Sequence, residues 1–208
     1  MGLRKSHTYD PLREVVDREH ARDLPGLLRQ LVEGDSEQRR WAARDLAGHP
    51  AAAAALGQRL LSETDPSVRE ALFVSLGIFA TEAAVAALLP LLRSEDAALR
   101  NGAIESLSAM PQAVAPRVAA LLADADSDVR LLTVNLLGEL RHDQVLPWLL
   151  QVLQREAHVN VVAAALEVMA EIGRPEHVDA LQAVRQRFPD DPFIAFAVDM
   201  ALDRMASP

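Results

Sequence analysis

The stretch Asp65-Pro66-Ser67-Val68-Arg69 decides the fold, because its pattern returns along the chain at a nearly constant spacing. The arginines of the four clearest copies, at positions 39, 69, 100 and 130, lie 30, 31 and 30 residues apart. Self-similarity at this period is typical of repeat proteins, in which each unit packs mainly on its two neighbours. The frame recurs, complete or degenerate, at residues 35–39, 96–100, 126–130, 161–162 and 191–195.

Each copy of this frame opens an amphipathic helix. Asp65 can accept hydrogen bonds from free first-turn amides, and Pro66 suits the first helical position. The apolar residues Leu72, Leu76 and Phe79 follow at helical spacing. A second apolar run accompanies each helix, so the unit is two helices in roughly 31 residues. These second runs are residues 24–31, 85–92, 115–122, 146–153 and 178–184.

The chain resembles the HEAT-repeat family, in particular its bacterial HEAT-like form, from about Leu24 to Met205. The motifs that carry the resemblance include Val129-Arg130 followed by Leu137-Gly138-Glu139-Leu140, and Val168-Met169-Ala170-Glu171-Ile172-Gly173. The resemblance implies an all-α fold, an α-solenoid of five to six helix pairs with terminal capping helices. It also implies that first helices lie on the convex side and that second helices line the concave side, where partners dock.

We expect one domain over residues 1–208. Within it, residues 1–9 are expected to be flexible and residues 10–33 to form an N-terminal cap. Residues 35–187 are expected to hold the repeats, and residues 190–205 a C-terminal capping helix.

Composition excludes several classes of protein. There is no cysteine, so a disulfide scaffold, a thiol nucleophile and a Cys-ligated metal are excluded. With 30 acidic and 21 basic residues the net charge is −9, which argues against a general nucleic-acid binder. The longest stretch without a charged residue is shorter than the roughly 18 apolar residues that a membrane span needs. No secretory signal is visible at the N-terminus, so we expect a cytoplasmic protein that makes no membrane contact.

The repeated Asp and Arg residues are interpreted as structural. Each copy places an Asp four residues before an Arg at a helix start. In solenoids of the kind that the resemblance implies, this arginine bridges to the acid or the turn carbonyls of adjacent repeats. An anion-binding arginine ladder is the alternative. The pairs are Asp35/Arg39, Asp65/Arg69, Asp96/Arg100 and Asp126/Arg130.

The sequence predicts no catalytic residues, no metal site and no cofactor. None of the six histidines lies in a His-Glu-x-x-His frame. The iron hydroxylase built on this repeat type uses His-Glu dipeptides, and this chain has none. No Gly-rich phosphate loop is present. The histidines are His7, His20, His49, His142, His158 and His177.

A candidate binding surface follows from aligning the second helices. One repeat position holds Gly26, Leu56, Ala87, Arg117, Trp148 and Ala180. A position one turn further on holds Arg29, Arg59, Pro90, Ala120, Gln151 and Ala183. A Trp beside Arg is typical of an interface hot spot. We therefore expect a partner surface made by Arg117, Trp148 and Gln151, extended by Leu56, Arg29 and Arg59. The alternative is that Trp148 only packs between two second helices.

The expected function is that of a non-catalytic scaffold or adaptor that docks a partner protein on the concave face. We expect it to be monomeric and to bind no cofactor. Two alternatives remain open at this stage. One is an enzyme of the phycobilin-lyase type, since many bacterial repeats of this kind resemble those lyases. The other is a binder of nucleic acid or DNA lesions, for which Arg39-Arg40-Trp41 and Arg44 are the nearest candidate residues.

Overall fold

A computed structural model describes residues 20–206. The segment expected to be flexible and residues 10–19 of the expected N-terminal cap lie outside the described residues. Within residues 20–206 the regular structure is helical, with no β-strand. The helices are α1 Leu24–Glu33, α2 Ser36–Asp45, α3 Ala53–Leu60, α4 Pro66–Phe79, α5 Glu82–Leu88, α6 Ala97–Ser108, α7 Pro111–Leu122, α8 Ser127–Glu139, α9 Val145–Arg155, α10 Val159–Ile172, α11 Val178–Arg187 and α12 Pro192–Ala206.

The helices form two parallel layers. The first helices α2, α4, α6, α8, α10 and α12 contact one another in sequence, from α2 on α4 to α10 on α12. In the layer of second helices, α3 contacts α5, α5 contacts α7, and α9 contacts α11. The exposed sides of these layers are called the first-helix surface and the second-helix surface below. The protein is an all-α solenoid, as the sequence predicts, with five helix pairs between α1 and α12 in the described residues.

The repeated aspartates begin the first helices. Asp65 accepts from the backbone N–H groups of Ser67 and Val68 at 2.9 and 3.3 Å. Asp35 and Gln38 form a reciprocal capping box at the start of α2. The N-cap of α10 is instead His158, whose side chain makes no capping hydrogen bond. The degenerate copy of the frame therefore lacks the aspartate cap that the other copies have.

One hydrophobic core runs along the stack between the two layers. It is built mainly from leucines and valines of both layers, such as Leu72 and Leu76 of α4 and Leu88 of α5, which are fully buried. Burying each such side chain contributes about 1.5–3 kcal/mol to stability. Each repeat packs mainly on its two neighbours, so the core is continuous along the stack. The stability of the core therefore depends on the contacts between successive repeats.

The end of α4 is conformationally unusual. Its C-cap, Ala80, adopts the left-handed region with a φ of 48°, and no other non-glycine residue of the described chain has a positive φ. Left-handed helix ends favour glycine, because a Cβ is crowded there.

Candidate functional site

The turns between repeats contain a connected set of charged side chains and backbone groups. Arg39 donates from Nε and Nη2 to the two carboxylate oxygens of Glu63, at 2.8 and 2.9 Å. Its Nη1 donates to the carbonyl of Gly34 at 3.0 Å, in the turn before its own helix. One arginine thereby ties the turn before α2 to the turn before α4.

Glu63 is the acceptor at the centre of this arrangement, and its side chain is only 1% exposed. It also accepts from Arg59, at 2.7 and 3.0 Å, and from the backbone N–H groups of Thr64 and Asp65. Burial opposes the charge on Glu63, but hydrogen bonds from Arg39, the backbone of Asp65 and Arg59 outweigh it. Together they lower the pKa of Glu63 from 4.5 to about 2.

An equivalent set of hydrogen bonds is present in the turn before α10. Arg130 donates to both oxygens of Glu156 at 2.7 and 3.0 Å and to the carbonyl of Asp124 at 2.8 Å. Glu156 also accepts from the backbone N–H groups of Ala157 and His158. Burial again opposes ionisation, and the hydrogen bond from Arg130 leads the contributions that lower the pKa of Glu156.

The two middle arginines use other acceptors. Arg69 donates to the carbonyl of Glu63 at 2.6 Å and to Asp96 of the next repeat at 2.7 Å. Arg100 donates to the carbonyls of Ser94 and Glu95 at 2.7 and 3.0 Å. All four arginines therefore serve the fold, in agreement with the structural interpretation of the repeated motif.

The pairing itself differs from the simple i,i+4 arrangement. Among the described ion pairs, none joins the Asp and the Arg of the same frame. Each Asp is occupied at its own helix start, as Asp126 is by the N–H of Asp128. The arginine side chain extends past the start of its own helix. Its guanidinium therefore binds groups of the preceding turn or of the following repeat instead.

Sequence reasoning missed the acceptors at these turns. Glu63, Ser94, Asp124 and Glu156 occupy equivalent places, 31, 30 and 32 residues apart. Each accepts from the backbone N–H two residues ahead, at the position that begins the next first helix. A polar residue two places before every helix start was the signal that could have identified them.

The structure places Arg117 on α7 and Trp148 and Gln151 on the neighbouring second helix α9. Arg117 is exposed and forms an ion pair with Glu82 of α5. Trp148 is half-buried against the core and stacks on His142, with ring centroids 5.3 Å apart and planes inclined by 18°. Gln151 is exposed.

A groove of about 420 Å³ opens on the second-helix surface between α7 and α9. Ala119 and Ala123 line one side of it, and Gln151 and Arg155 line the other. Arg130 also lines the groove, and its guanidinium is held by Glu156 as described above. The groove therefore brings one predicted site residue, Gln151, beside Arg155, which the sequence analysis did not select.

Two other predicted site residues are corrected by the structure. Leu56 is fully buried, so the expectation that it extends an exposed surface is wrong. Two single 3-10 turns, Leu46–Gly48 and Pro50–Ala52, precede α3 and shift its register. Leu56 consequently takes the buried place that Leu88 has in α5.

Arg59 is also unsuited to a partner surface, because it is half-buried and binds Glu63 through two nitrogens. Arg29, by contrast, is exposed on α1. Of the predicted set, Arg29, Arg117 and Gln151 are therefore exposed, and Trp148 is partly exposed.

Within residues 20–206, no group of three or more His, Asp or Glu side chains is arranged to hold a metal ion. His142 is engaged with Trp148, and Nδ1 of His177 accepts from the N–H of Arg174 at 3.0 Å. No helix in this part of the chain has the length and apolar character to cross a bilayer.

Several solved structures are similar to this chain. A chain from a study of microtubule plus-end tracking by XMAP215, CLIP-170 and EB1 is 13% identical, with a TM-score of 0.56 over 88% of this chain and 91% of that chain. Human deoxyhypusine hydroxylase with glycerol is 22% identical, with a TM-score of 0.45 over 88% and 74% of the two chains. A designed armadillo repeat protein is 17% identical, with a TM-score of 0.40 over 88% and 100%.

No curated protein matches the sequence. The family profile described as HEAT repeats matches residues 24–108 and 114–202, which is most of the chain. These residues contain the five helix pairs except for the first three residues of α7, and they include the four arginines at the turns between repeats. The protein therefore belongs to the HEAT-repeat family.

Proposed function

We propose that the protein is a non-catalytic scaffold that binds a partner protein on its second-helix surface, at the groove between α7 and α9. The observation that carries this proposal is the state of the groove's polar groups. Gln151 and Arg155 are exposed and make no hydrogen bond or ion pair within the described residues. The fold does not use them, so they remain available to a partner.

The shape of the groove supports the same proposal. Ala119 and Ala123 have small side chains, so the α7 side of the groove leaves room for the backbone of a partner to approach closely. Both walls are α-helices packed on the core, so the surface is formed before binding. A preformed surface loses little conformational freedom when a partner docks. In the family this layer lines the concave side, where partners dock.

Trp148 and Arg117 border this surface. Trp148 lies nearly one turn before Gln151 on α9, and its half-exposed ring can contribute the aromatic contact that hot spots favour. Arg117 is exposed on α7, and its ion pair with Glu82 is at the surface. Exposed ion pairs contribute at most about 1 kcal/mol, so a partner carboxylate can compete for this arginine.

The non-catalytic part of the proposal rests on how the perturbed carboxylates are used. Strongly shifted pKa values often mark catalytic groups. Here Glu63, whose pKa falls to about 2, is occupied by Arg39, Arg59 and two backbone N–H groups. A carboxylate with its acceptors filled and its proton affinity lowered is a structural anchor, not a base directed at a substrate.

The experiment compares two glutamines of the same helix. Gln151→Lys changes the groove, whereas Gln154→Lys changes an exposed residue of α9 that does not line it. The full-length wild type and both variants are used to capture proteins from the native cell, with isotope-labelled quantification. We expect a protein retained by the wild type and by Gln154→Lys to be depleted about tenfold by Gln151→Lys at unchanged Tm. Equal capture by both variants would contradict the proposed surface.

A further inference from the structure

Large apolar side chains are exposed mainly on the first-helix surface, opposite the surface proposed above. Among residues 20–206, nine large apolar side chains are exposed, and seven of these belong to first helices. Exposed apolar groups that cluster on one surface mark contact sites more often than scattered ones do. The seven are Trp41, Val74, Ile78, Ile172, Phe193, Phe196 and Met200.

A groove with a volume of about 750 Å³ runs between α4 and α6 on this surface. Val74 and Ile78 form one apolar wall, and they are 56% and 61% exposed. Phe73 lies at the bottom, against Gly102 of α6. A Cβ at position 102 would come within 2.4 Å of the Phe73 ring, so the glycine is what allows the ring to sit low. The result is an open apolar channel between two rigid helices.

Acidic residues border this channel on both sides. Glu70 of α4 and Glu105 of α6 line it, and Glu139 of α8 lines the adjoining depression with Glu105. All three are exposed, and their carboxylates have no ion-pair partner among the described residues. The nearby cations are already used, since Arg69 binds Asp96 and Arg100 binds turn carbonyls. The channel therefore presents an apolar floor within a negative rim.

We propose that this channel binds an amphipathic helix of a partner protein that carries Arg or Lys on both sides of its apolar stripe. Val74 and Ile78 are one helical turn apart, so they match apolar residues spaced three and four apart on a docking helix. The basic flanks would face Glu70, Glu105 and Glu139. A second copy of this chain is a poorer occupant, because its net charge is −9 and it would bring like charge to the rim.

This site lies on a different layer from the groove at α9, so it is a second interface of the scaffold. The test uses the full chain and a synthetic helical peptide with a leucine stripe flanked by lysines. Its controls are the same peptide with glutamates in place of lysines and a peptide of scrambled order. Binding is measured by fluorescence anisotropy at low and at physiological salt.

Substitutions then locate the binding. Val74→Ser combined with Ile78→Ser removes the apolar wall, and Glu105→Gln removes one rim charge. Phe196→Ser is the matched control, because Phe196 is 62% exposed on the same surface but lines a different groove. The Tm of each variant is measured, and since all four side chains are exposed we expect it to stay near that of the wild type.

We expect the lysine peptide to bind the wild type and Phe196→Ser equally, and the double variant at least tenfold more weakly. Glu105→Gln should weaken binding several-fold and reduce its dependence on salt. The proposal is overturned if the lysine peptide does not bind saturably, if the glutamate peptide binds as well, or if Phe196→Ser abolishes binding. Sedimentation of the free protein adds one more test: a dimer that dissociates in the double variant would assign the channel to self-association instead.

Discussion

Arg39 donates two hydrogen bonds to the buried carboxylate of Glu63, which lies 24 residues further along the chain, in the turn before the next repeat. The pair joins two successive repeats at the point where the chain passes between them. Arg130 and Glu156 make the same connection 91 and 93 residues further on, before α10. The stack is therefore fastened at its turns by charge-assisted hydrogen bonds as well as by its apolar core.

The first prediction concerns acid stability. The pKa of Glu63 is about 2 in the folded chain against 4.5 for an unperturbed glutamate, so the folded state binds the proton less tightly than the unfolded state. The stability that the ionised Glu63 side chain contributes to the fold is complete above pH 4.5 and is lost as the pH falls toward 2. The shift corresponds to about 3 kcal/mol. We expect the unfolding free energy from urea titrations to fall less steeply over this range in Glu63→Gln than in the wild type.

The control for this prediction is Glu95→Gln, at an exposed glutamate of the next turn. It should follow the wild-type pH profile. If Glu63→Gln also follows that profile, the carboxylate is not the anchor described here.

The second prediction compares two arginines of the repeated motif. Arg130→Ala leaves the largely buried carboxylate of Glu156 without its cation, whereas Arg100→Ala removes only bonds to turn carbonyls. Stranding a buried charge costs about 3–5 kcal/mol, and losing a neutral acceptor's partner about 1–3 kcal/mol. Chemical unfolding should therefore give Arg130→Ala a clearly lower free energy of unfolding than Arg100→Ala. The reverse order would show that Glu156 does not depend on its arginine.

The third prediction concerns the end of α4. Ala80 is held at a φ of 48°, so Ala80→Gly should stabilise the protein by about 1 kcal/mol. Ala109 is the C-cap of α6 with an ordinary φ of −71°, and Ala109→Gly should destabilise it slightly. Thermal unfolding measures both. A loss of stability in Ala80→Gly would mean that the left-handed conformation carries no strain.

The fourth prediction separates the two roles considered for Trp148. Because the ring is half-buried and stacked on His142, Trp148→Ala should lower the unfolding free energy by about 2 kcal/mol, less than a fully buried Trp. A double-mutant cycle with His142→Ala should show a coupling of about 0.5–1.5 kcal/mol. No coupling would indicate that the stack does not persist in solution. Partner capture by the folded Trp148→Ala variant then measures whether Trp148 also contributes to partner binding.

The repeated motif was sufficient to predict the layered helices, because Asp65 and its equivalents cap helices through local hydrogen bonds that a sequence shows directly. Leu56 was misplaced since the two 3-10 turns before α3 shift its register by about one residue, and nothing local in α3 signals that shift. The partners of Arg39 and Arg130 were missed for a related reason. Glu63 and Glu156 meet them only after two repeats have stacked, so the pairing is a property of the assembled turns.

The groove at α9 was likewise only partly predictable. Gln151 follows from the repeat alignment, but Arg155 lies one turn further along α9, outside the aligned positions, and lines the groove together with residues of α7. Which side chains face each other across the groove depends on how the repeats stack. The exposed apolar groups of the first helices, such as Val74, were not distinguishable in sequence from core residues at helical spacing.

The most direct test of partner binding at this groove is photo-crosslinking in the native cell. A photoreactive residue is placed at Gln151, on the second-helix surface, or at Glu171, an exposed position of α10 on the opposite layer. The account predicts a discrete adduct with one protein from position 151 and none of that adduct from position 171. The absence of an adduct at position 151, or the same adduct at both positions, would contradict the proposal that the second-helix surface binds the partner.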